Sequence, residues 1–227
     1  MLNFDPSKPY ATHDFFSMKN LDELNTDELA YVHLYNIANS IELKNCYLSS
    51  SLHDLRETLS ASFNNNRTNQ YVPLMTSFAM MDQMGTLYTP KGKSSNKKNG
   101  IKRCLELNTN LPSNDIESLV SLRNGLLHNG SLLCEAQHVK QTNVIYRLTK
   151  KNNILITHPK ITWDGVFHDN LNDYTSTIDL IKLRDLVFEI HDKLFNLLIL
   201  NDLKIEISNT KELYFKYLFA RHKTENI

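Results

Sequence analysis

The sequence predicts a mainly α-helical domain that carries a small antiparallel β insertion. Apolar residues recur at helical spacing through most of the chain, whereas short segments of strand-like pattern are confined to about residues 131–158. No internal repeat or flexible linker divides the 227 residues. We therefore expect one domain, residues 1–227, with one sizeable core.

The first long helical segment is predicted over residues 26–63, with a break near Asn45. Asp27 and Glu28 would lie in its first turn, where negative charge stabilises the helix dipole. Residues 64–66, all asparagine, end the segment. Its apolar positions are Leu29, Val32, Ile37, Ile41, Leu48, Leu52, Leu55 and Leu59.

A second helix is predicted from about residue 72 to residue 84. Pro73 is tolerated in a first helical turn, because the N–H groups of that turn have no partner within the helix. Gly85 follows the segment as a stop signal. The core candidates on this helix are Leu74, Met75, Phe78 and Met81.

The third predicted helix, residues 113–127, has signals at both ends. Pro112 precedes it, Asn114 and Glu117 have the spacing of a capping box, and Gly130 follows as a C-terminal stop. One broad apolar arc is formed by Ile116, Leu119, Val120, Leu122, Leu126 and Leu127.

The pattern then changes from helical to strand-like. Residues 131–137, 144–149 and 154–157 are predicted as three short strands, and a polar turn at residues 150–153 joins the last two. We expect a small antiparallel meander inserted between helices of the bundle.

Two further helices are predicted after the insertion, over residues 176–200 and 211–222. Trp163 lies in the loop that precedes them. We expect its ring to cover the core, and the alternative is a platform for stacking on single-stranded RNA. The longer helix has a wide apolar face formed by Ile178, Ile181, Leu183, Leu186, Val187, Ile190, Leu194, Leu197 and Leu198.

Arg123 most needs an explanation, because it lies in the middle of the apolar arc of the third helix. A guanidinium is almost never buried unpaired, so Arg123 requires a carboxylate from another helix, a bound anion, or an interface that keeps it hydrated. Asp82 is a candidate partner, since it lies four residues after Phe78 on the apolar stripe of the second helix. The alternative places Asp82 in solvent near the end of that helix.

Asn124 and His128 are four residues apart, so the amide can hydrogen-bond the imidazole and fix its tautomer. Arg123 and His128 are five apart and do not share a stripe. They converge only if the helix unwinds near Gly125, if the arginine curls over, or if a second chain completes the site in a symmetric dimer. The structural alternative is that Arg123 pairs with a buried acid, while His128 is a hydrogen-bonded residue of the last turn.

The run Arg123-Asn124-Gly125-Leu126-Leu127-His128 resembles the signature of the HEPN (higher eukaryotes and prokaryotes nucleotide-binding) superfamily. In that signature an arginine, often followed by a polar residue, precedes a histidine by a short gap, and the gap here is four residues. The likeness is specific only over residues 122–133. It implies a HEPN-like helical bundle that pairs as a homodimer. Many members are metal-independent ribonucleases whose two motifs meet across the interface.

The resemblance implies endoribonuclease activity, in which the ribose 2′-hydroxyl of RNA attacks the adjacent phosphate. His128 would act as general base or acid, Arg123 would stabilise charge on the phosphorane, and Asn124 would orient His128 or bind the ribose. It implies no metal and no cofactor. The alternative is a catalytically silent module of the same fold that binds a nucleotide, RNA or a protein partner.

The family also suggests an antitoxin or another regulatory protein as a partner. One subgroup, whose antitoxin is a nucleotidyltransferase, carries a tyrosine two residues after the histidine. Gly130 occupies that position here, so the resemblance does not imply modification by that kind of partner.

Charge restricts how the chain can attract RNA. The formal net charge is zero, so the attraction must come from local patches. The clearest patch is residues 91–103, whose candidate RNA-binding residues are Lys97, Lys98, Lys102 and Arg103. The simpler interpretation of this Gly/Ser/Asn/Lys segment is a flexible, solvated loop.

Cysteine and histidine spacing predicts no metal site. Cys46, Cys104 and Cys134 are scattered, and neither a His-x-x-x-His nor a Cys-x-x-Cys motif occurs. Three unpatterned cysteines indicate structural thiols in a reducing compartment. Neither a signal peptide nor a membrane-spanning segment is evident, so we expect a cytoplasmic protein with no membrane partner.

Overall fold

A computed structural model of the chain describes residues 2–6, 8–135 and 143–223. Helix is the main element of these residues, but strands form three small sheets among them, so the architecture is mixed α/β and not plainly an all-helical bundle. The helices are α1 (Pro9–Ser17), α2 (Thr26–Leu34), α3 (Ser51–Ser62), α4 (Tyr71–Leu87), α5 (Gly100–Asn108), α6 (Ser113–Asn129), α7 (Leu180–Ile199) and α8 (Thr210–Tyr217). The strands are β1 (Ile41–Glu42), β2 (Cys46–Ser50), β3 (Tyr88–Pro90), β4 (Leu133–Cys134), β5 (Val144–Thr149), β6 (Ile156–Thr157), β7 (Thr175–Asp179), β8 (Leu203–Ile205) and β9 (Leu218–His222).

Helix α4 packs against α3, α5, α6 and α7 and supplies much of the core. Met75, predicted in the core, is 48% exposed instead. The helix does not stop before Gly85 but continues to Leu87. A Cβ at Gly85 would lie 1.8 Å from the carbonyl oxygen of Gly100, so this glycine permits backbone contact with α5 and is not a stop signal. The predicted core residues that are buried are Leu74, Phe78 and Met81.

The helix predicted over residues 26–63 is wrong between α2 and α3, where β1 and β2 form instead. Every second residue of β2 is buried, which is the alternation of a half-buried strand. Ser50 ends the strand and caps α3, because its hydroxyl oxygen accepts from the N–H groups of Leu52 and His53 at 3.1 and 3.4 Å. The apolar residues of this stretch thus belong first to strand β2 and then to helix α3.

The segment of residues 91–103 is only partly a loop, because α5 begins within it. Asn99 caps this helix, and its Oδ1 accepts from the N–H of Lys102 at 2.9 Å. The buried side of the helix is formed by Ile101, Cys104, Leu105 and Leu107. The concentration of lysines obscured this short amphipathic pattern in the sequence.

The antiparallel meander predicted at residues 131–158 is wrong in its pairing. The strand order is β4-β5-β7-β6, and β5 pairs in parallel with β7. The hairpin expected between β5 and β6 is not formed, because β7 lies between them. Residues 136 and 137 of the first predicted strand lie outside the described residues.

Strand β7 takes the residues predicted as the first turn of the longest helix. Ser176 and Ile178 are buried in it, and α7 begins only at Leu180. Asp179 separates the two elements, since its carboxylate accepts from the N–H groups of the first turn of α7 at 2.9 and 3.1 Å. None of the helices that the structure describes, α7 included, is both long and apolar enough to cross a bilayer.

The helix predicted over residues 211–222 is also too long. Helix α8 ends at Tyr217, and the remaining residues form β9, which pairs antiparallel with β2. The register runs from Ser50 opposite Leu218 to Cys46 opposite His222. The last described strand is thereby joined in one sheet with two strands from the first 50 residues.

Candidate functional site

Helix α6 carries the arginine–histidine motif and stays regular through it. It ends at Gly130, which adopts the left-handed conformation with a φ of 62°. The N–H of Gly130 donates to the carbonyl of Leu126 at 2.9 Å, and that of Ser131 donates to the carbonyl of Gly125 at 3.2 Å. The predicted stop is confirmed, and the helix does not unwind near Gly125.

The start of α6 differs from the prediction in its cap. Pro112 takes the N-cap position, and no side chain accepts from the first turn in this described helix. Asn114 instead lies 3.2 Å from Nε2 of His158, and Glu117 pairs with Lys102 of α5. The predicted capping box is therefore wrong, and its two polar side chains tie α6 to neighbouring elements.

Arg123 is half-buried and has no acidic partner in the part of the chain that the structure describes. Among the described residues no carboxylate lies within 4.0 Å of its guanidinium, and its Nε is buried without a hydrogen-bond partner. Its Nη1 donates to Oδ1 of Asn124 at 3.3 Å. The guanidinium contributes to a cavity of about 350 Å³ between α3, α4 and α6, which is lined by Leu55, Met75, Thr76, Phe78, Ala79, Asp82, Arg123 and Leu127.

Asp82 lines the same cavity. Its carboxylate does not form an ion pair with Arg123, and the structure describes both residues. The carboxylate is half-buried at the start of α5, where a Cβ on Gly100 would lie 2.5 Å from Oδ1. The stripe predicted for α4 thus places Asp82 and Arg123 at one cavity. The predicted ion pair between them is not formed.

His128 is exposed and lines a different cavity of about 490 Å³. Asn124 lines this second cavity too, although its side-chain oxygen accepts from Arg123 and not from the imidazole. Asn124 therefore lies between the two cavities. The remaining lining residues are Gly125, Asn129, Ser131, Leu133, Cys134 and Glu135.

Gly125 brings the backbone of β4 against α6. A Cβ at this position would lie 2.5 Å from the carbonyl oxygen of Leu133, so a larger residue would displace the strand. This close approach makes Ser131 and Cys134 part of the wall beside His128. Burial raises the pKa of the Cys134 thiol, which keeps it protonated near neutral pH.

Asn129 and Ser131 were missed by the sequence analysis as cavity residues. The sequence contained a signal for both residues, because they follow the motif directly and flank Gly130, which turns the chain back against the helix. Their side chains offer neutral hydrogen-bonding groups beside His128.

The predicted basic patch divides between solvent and the protein itself. Lys97 and Lys98 are exposed in the loop before α5, whereas Lys102 pairs with Glu117. The guanidinium of Arg103 donates to Thr89 at 2.8 Å and to Glu206 at 3.2 Å. Lys102 and Arg103 therefore connect α5 to neighbouring elements.

Trp163 is 2% exposed, and its indole N–H donates to the carbonyl of Val166 at 2.7 Å. The ring is therefore buried, but it lies outside the main hydrophobic cluster and does not cover the core as predicted. Burial leaves no free face of the indole for stacking on a nucleic-acid base.

No group of three or more His, Cys, Asp or Glu side chains is arranged to hold a metal ion in the part of the chain that the structure describes. The polar and ionisable side chains at the Arg123 cavity are those of Arg123, Asp82 and Thr76. Those at the His128 cavity are His128, Asn124, Asn129, Ser131, Cys134 and Glu135. The chain matches no family model, no curated protein and no solved structure.

Proposed function

We propose that the protein is a metal-independent endoribonuclease, acting as a homodimer, in which Arg123 and His128 carry the chemistry and Asn124 supports them. The proposal rests on one observation, the guanidinium of Arg123 that has no acidic partner among the described residues. Its Nε is buried without an acceptor, and no carboxylate of the described residues lies within 4.0 Å. A buried donor without a partner costs about 1–3 kcal/mol. Since no described carboxylate holds this guanidinium, its outer nitrogens can bind a phosphate oxygen.

The reaction follows from these groups. The 2′-oxygen of a ribose forms a bond to the adjacent phosphorus, and the bond from phosphorus to the 5′-oxygen breaks. The imidazole of His128 accepts the proton of the 2′-hydroxyl and, once protonated, passes that proton to the departing 5′-oxygen directly or through a water molecule. The guanidinium of Arg123 binds the non-bridging oxygens, where negative charge increases in the transition state. The products are a 2′,3′-cyclic phosphate and a 5′-hydroxyl.

A second copy of the chain completes this site. In one chain Arg123 and His128 line separate cavities, so the imidazole that acts with a given arginine is assigned to the other subunit. The face around Arg123 suits an interface, because Met75 and Leu127 are 48% and 49% exposed and Tyr71 lies one turn before Met75. Exposed apolar side chains at the rim of the Arg123 cavity favour contact with a symmetry-related copy, which adds its imidazole at the mouth of the cavity.

A catalytically silent binding module is the second candidate. It is favoured by the same separation of Arg123 and His128 in one chain, because a protein that only binds a nucleotide or RNA does not need the two groups to converge. The two candidates differ in whether RNA is cleaved.

The test is cleavage of a labelled RNA pool in EDTA by the wild type, Arg123→Ala and His128→Ala. Arg67→Ala and His13→Ala are matched controls, because both residues are exposed and distant in sequence from the motif. Cleavage that resists chelation, leaves 2′,3′-cyclic phosphate ends and is lost only in the two motif variants supports the proposal. Absence of cleavage by folded, dimeric wild type overturns it in favour of the binding module.

A further inference from the structure

We infer that the cavity shared by Arg123 and Asp82 binds a guanine base of the RNA, with Asp82 as the residue that determines specificity. The inference rests on the proposed function, since it names the nucleotide held beside the reacting phosphate. It depends on the walls of the cavity, on the unpaired carboxylate and on the position of the guanidinium.

The cavity has the size and walls of a base-binding site. Its volume of about 350 Å³ lies within the range of small-molecule sites. Leu55, Ala79 and Leu127 come from three different helices, are each at least partly exposed, and give it apolar sides against which the faces of a planar base can pack. Polar groups are few, so each one strongly influences which base fits.

Asp82 supplies the acceptors. It lines the cavity, and although its Oδ1 lies beside the backbone of Gly100, no hydrogen bond or ion pair among the described residues occupies its carboxylate. Thr76, the other polar residue on this helix face, already donates its hydroxyl to the carbonyl of Val72 at 2.7 Å. An ionised carboxylate only accepts hydrogen bonds, and its two oxygens can accept from two neighbouring donors at once.

Guanine matches this arrangement, whereas the other RNA bases do not. Its Watson–Crick edge presents the ring N1–H and the exocyclic amine side by side, so both can donate to one carboxylate. Adenine and cytosine place an unprotonated ring nitrogen beside their amine, which repels a carboxylate oxygen. Uracil offers a single N–H between two carbonyl oxygens. A carboxylate in an otherwise apolar cavity therefore selects guanine.

Arg123 lies at the same cavity and supplies the opposite charge. A carboxylate alone would repel the phosphates that flank a bound base. The guanidinium compensates by binding one of those phosphates, while Asp82 holds the base. Because no ion pair joins the two described side chains, each is available for its part of the nucleotide.

The first experiment is calorimetric titration of the full chain with GMP, IMP, AMP, CMP and UMP. The wild type is expected to bind GMP most tightly, and IMP more weakly because hypoxanthine lacks the exocyclic amine. Asp82→Asn is expected to weaken GMP about ten- to hundredfold, the effect of losing a charge-assisted hydrogen bond, while leaving AMP nearly unchanged. Glu57→Gln removes an exposed carboxylate from α3 and serves as the control. Thermal unfolding of each variant verifies its fold.

The second experiment is sequencing of the cleavage sites in a random RNA pool. Enrichment of guanine on one side of the cut, lost in Asp82→Asn but kept in Glu57→Gln, supports the inference. Cleavage without any base preference by the wild type overturns the inference and leaves the ribonuclease proposal standing. Selective binding of GMP without cleavage supports guanine recognition and overturns the ribonuclease proposal. Neither binding nor cleavage overturns both.

Discussion

Asn124 accepts a hydrogen bond from the guanidinium of Arg123 at 3.3 Å, and the two residues are consecutive on α6. The sequence assigned this amide to His128, four residues later, because i,i+4 side chains are neighbours on a helix. In the structure its oxygen is used by the arginine. Asn124 therefore connects the cavity of Arg123 to that of His128, and its substitution tests how the guanidinium functions.

Asn124→Asp is expected to lower RNA cleavage by at least about tenfold, because a carboxylate in place of the amide oxygen would pair with Arg123 and compete with phosphate. Asn124→Ala should lower it less, since the guanidinium would keep its charge without a competing acid. The measurement is the rate of RNA cleavage at saturating and limiting substrate. If Asn124→Asp cleaves as fast as Asn124→Ala, Arg123 does not bind the reacting phosphate.

A composite site predicts complementation between inactive variants. In a mixed dimer of Arg123→Ala and His128→Ala, one of the two sites keeps both an arginine and a histidine. Random pairing makes half of the dimers mixed, so an equal mixture should recover roughly a quarter of the wild-type activity. The check is the cleavage rate after the variants have been mixed, unfolded and refolded together. A mixture as inactive as its components would place both groups of each site in one chain.

Local signals in the sequence predicted helix α6 and its C-terminal end, although not its N-terminal cap. The end of the helix depends on one residue, Gly130, whose left-handed conformation satisfies the last carbonyls. The stripe spacing on α4 likewise placed Asp82 toward Arg123, and the structure brings both to one cavity. The end of α6 and the stripe on α4 each involve residues within one or two turns of a single helix, so both can be derived from spacing.

Strand pairing could not be derived in that way. β9 pairs with β2, and β7 lies between β5 and β6, so the partners are far apart in the sequence. The amphipathic pattern of residues 176–200 runs without a break from β7 into α7, because Ile178 is buried in the strand just as it would be in a helix. The sequence could not show whether Arg123 forms an ion pair with Asp82 either, because that depends on the distance between side chains of two helices.

Gly85→Ala is expected to destabilise the protein by at least about 2 kcal/mol, although alanine is the better helix former. The added methyl would lie 1.8 Å from the carbonyl oxygen of Gly100, which belongs to the backbone and cannot turn aside. The measurement is the free energy of unfolding in urea.

Gly130→Ala is the companion variant. Apart from its two chain neighbours, no described residue has an atom within 4 Å of a Cβ at Gly130, so only the positive φ of 62° opposes the substitution, at a cost of about 1 kcal/mol. A Gly85→Ala variant as stable as Gly130→Ala would show that α4 and α5 separate easily.

Stability is expected to fall in acid because His33 and His191 are buried in uncharged form. Burial lowers the pKa of His33 to about 4 and that of His191 to about 3, from 6.5 in each case. The unfolded chain therefore binds more protons than the native one below pH 6.5, so unfolding becomes easier as pH decreases. Each histidine accounts for up to about 3 kcal/mol of stability lost between neutral pH and pH 4.

The groups in contact with the imidazole rings of His33 and His191 favour the neutral form of both rings. His191 accepts from the guanidinium of Arg56 at 3.0 Å and donates from Nε2 to the carbonyl of Leu34 at 3.0 Å, so a second ring proton would face a cation. His33 contacts Tyr88 at 2.8 Å and Gln83 at 3.2 Å, neither of which is charged near neutral pH.

The check is urea unfolding between pH 7.5 and pH 4 for the wild type and His33→Gln. The variant is expected to be less stable at pH 7.5, because glutamine fills the site imperfectly, but to show a shallower decline of stability in acid. Exposed His13→Gln controls for the loss of any histidine. Parallel curves for the wild type and His33→Gln would mean that His33 gains its proton without unfolding, and that its burial in neutral form does not contribute to the acid sensitivity.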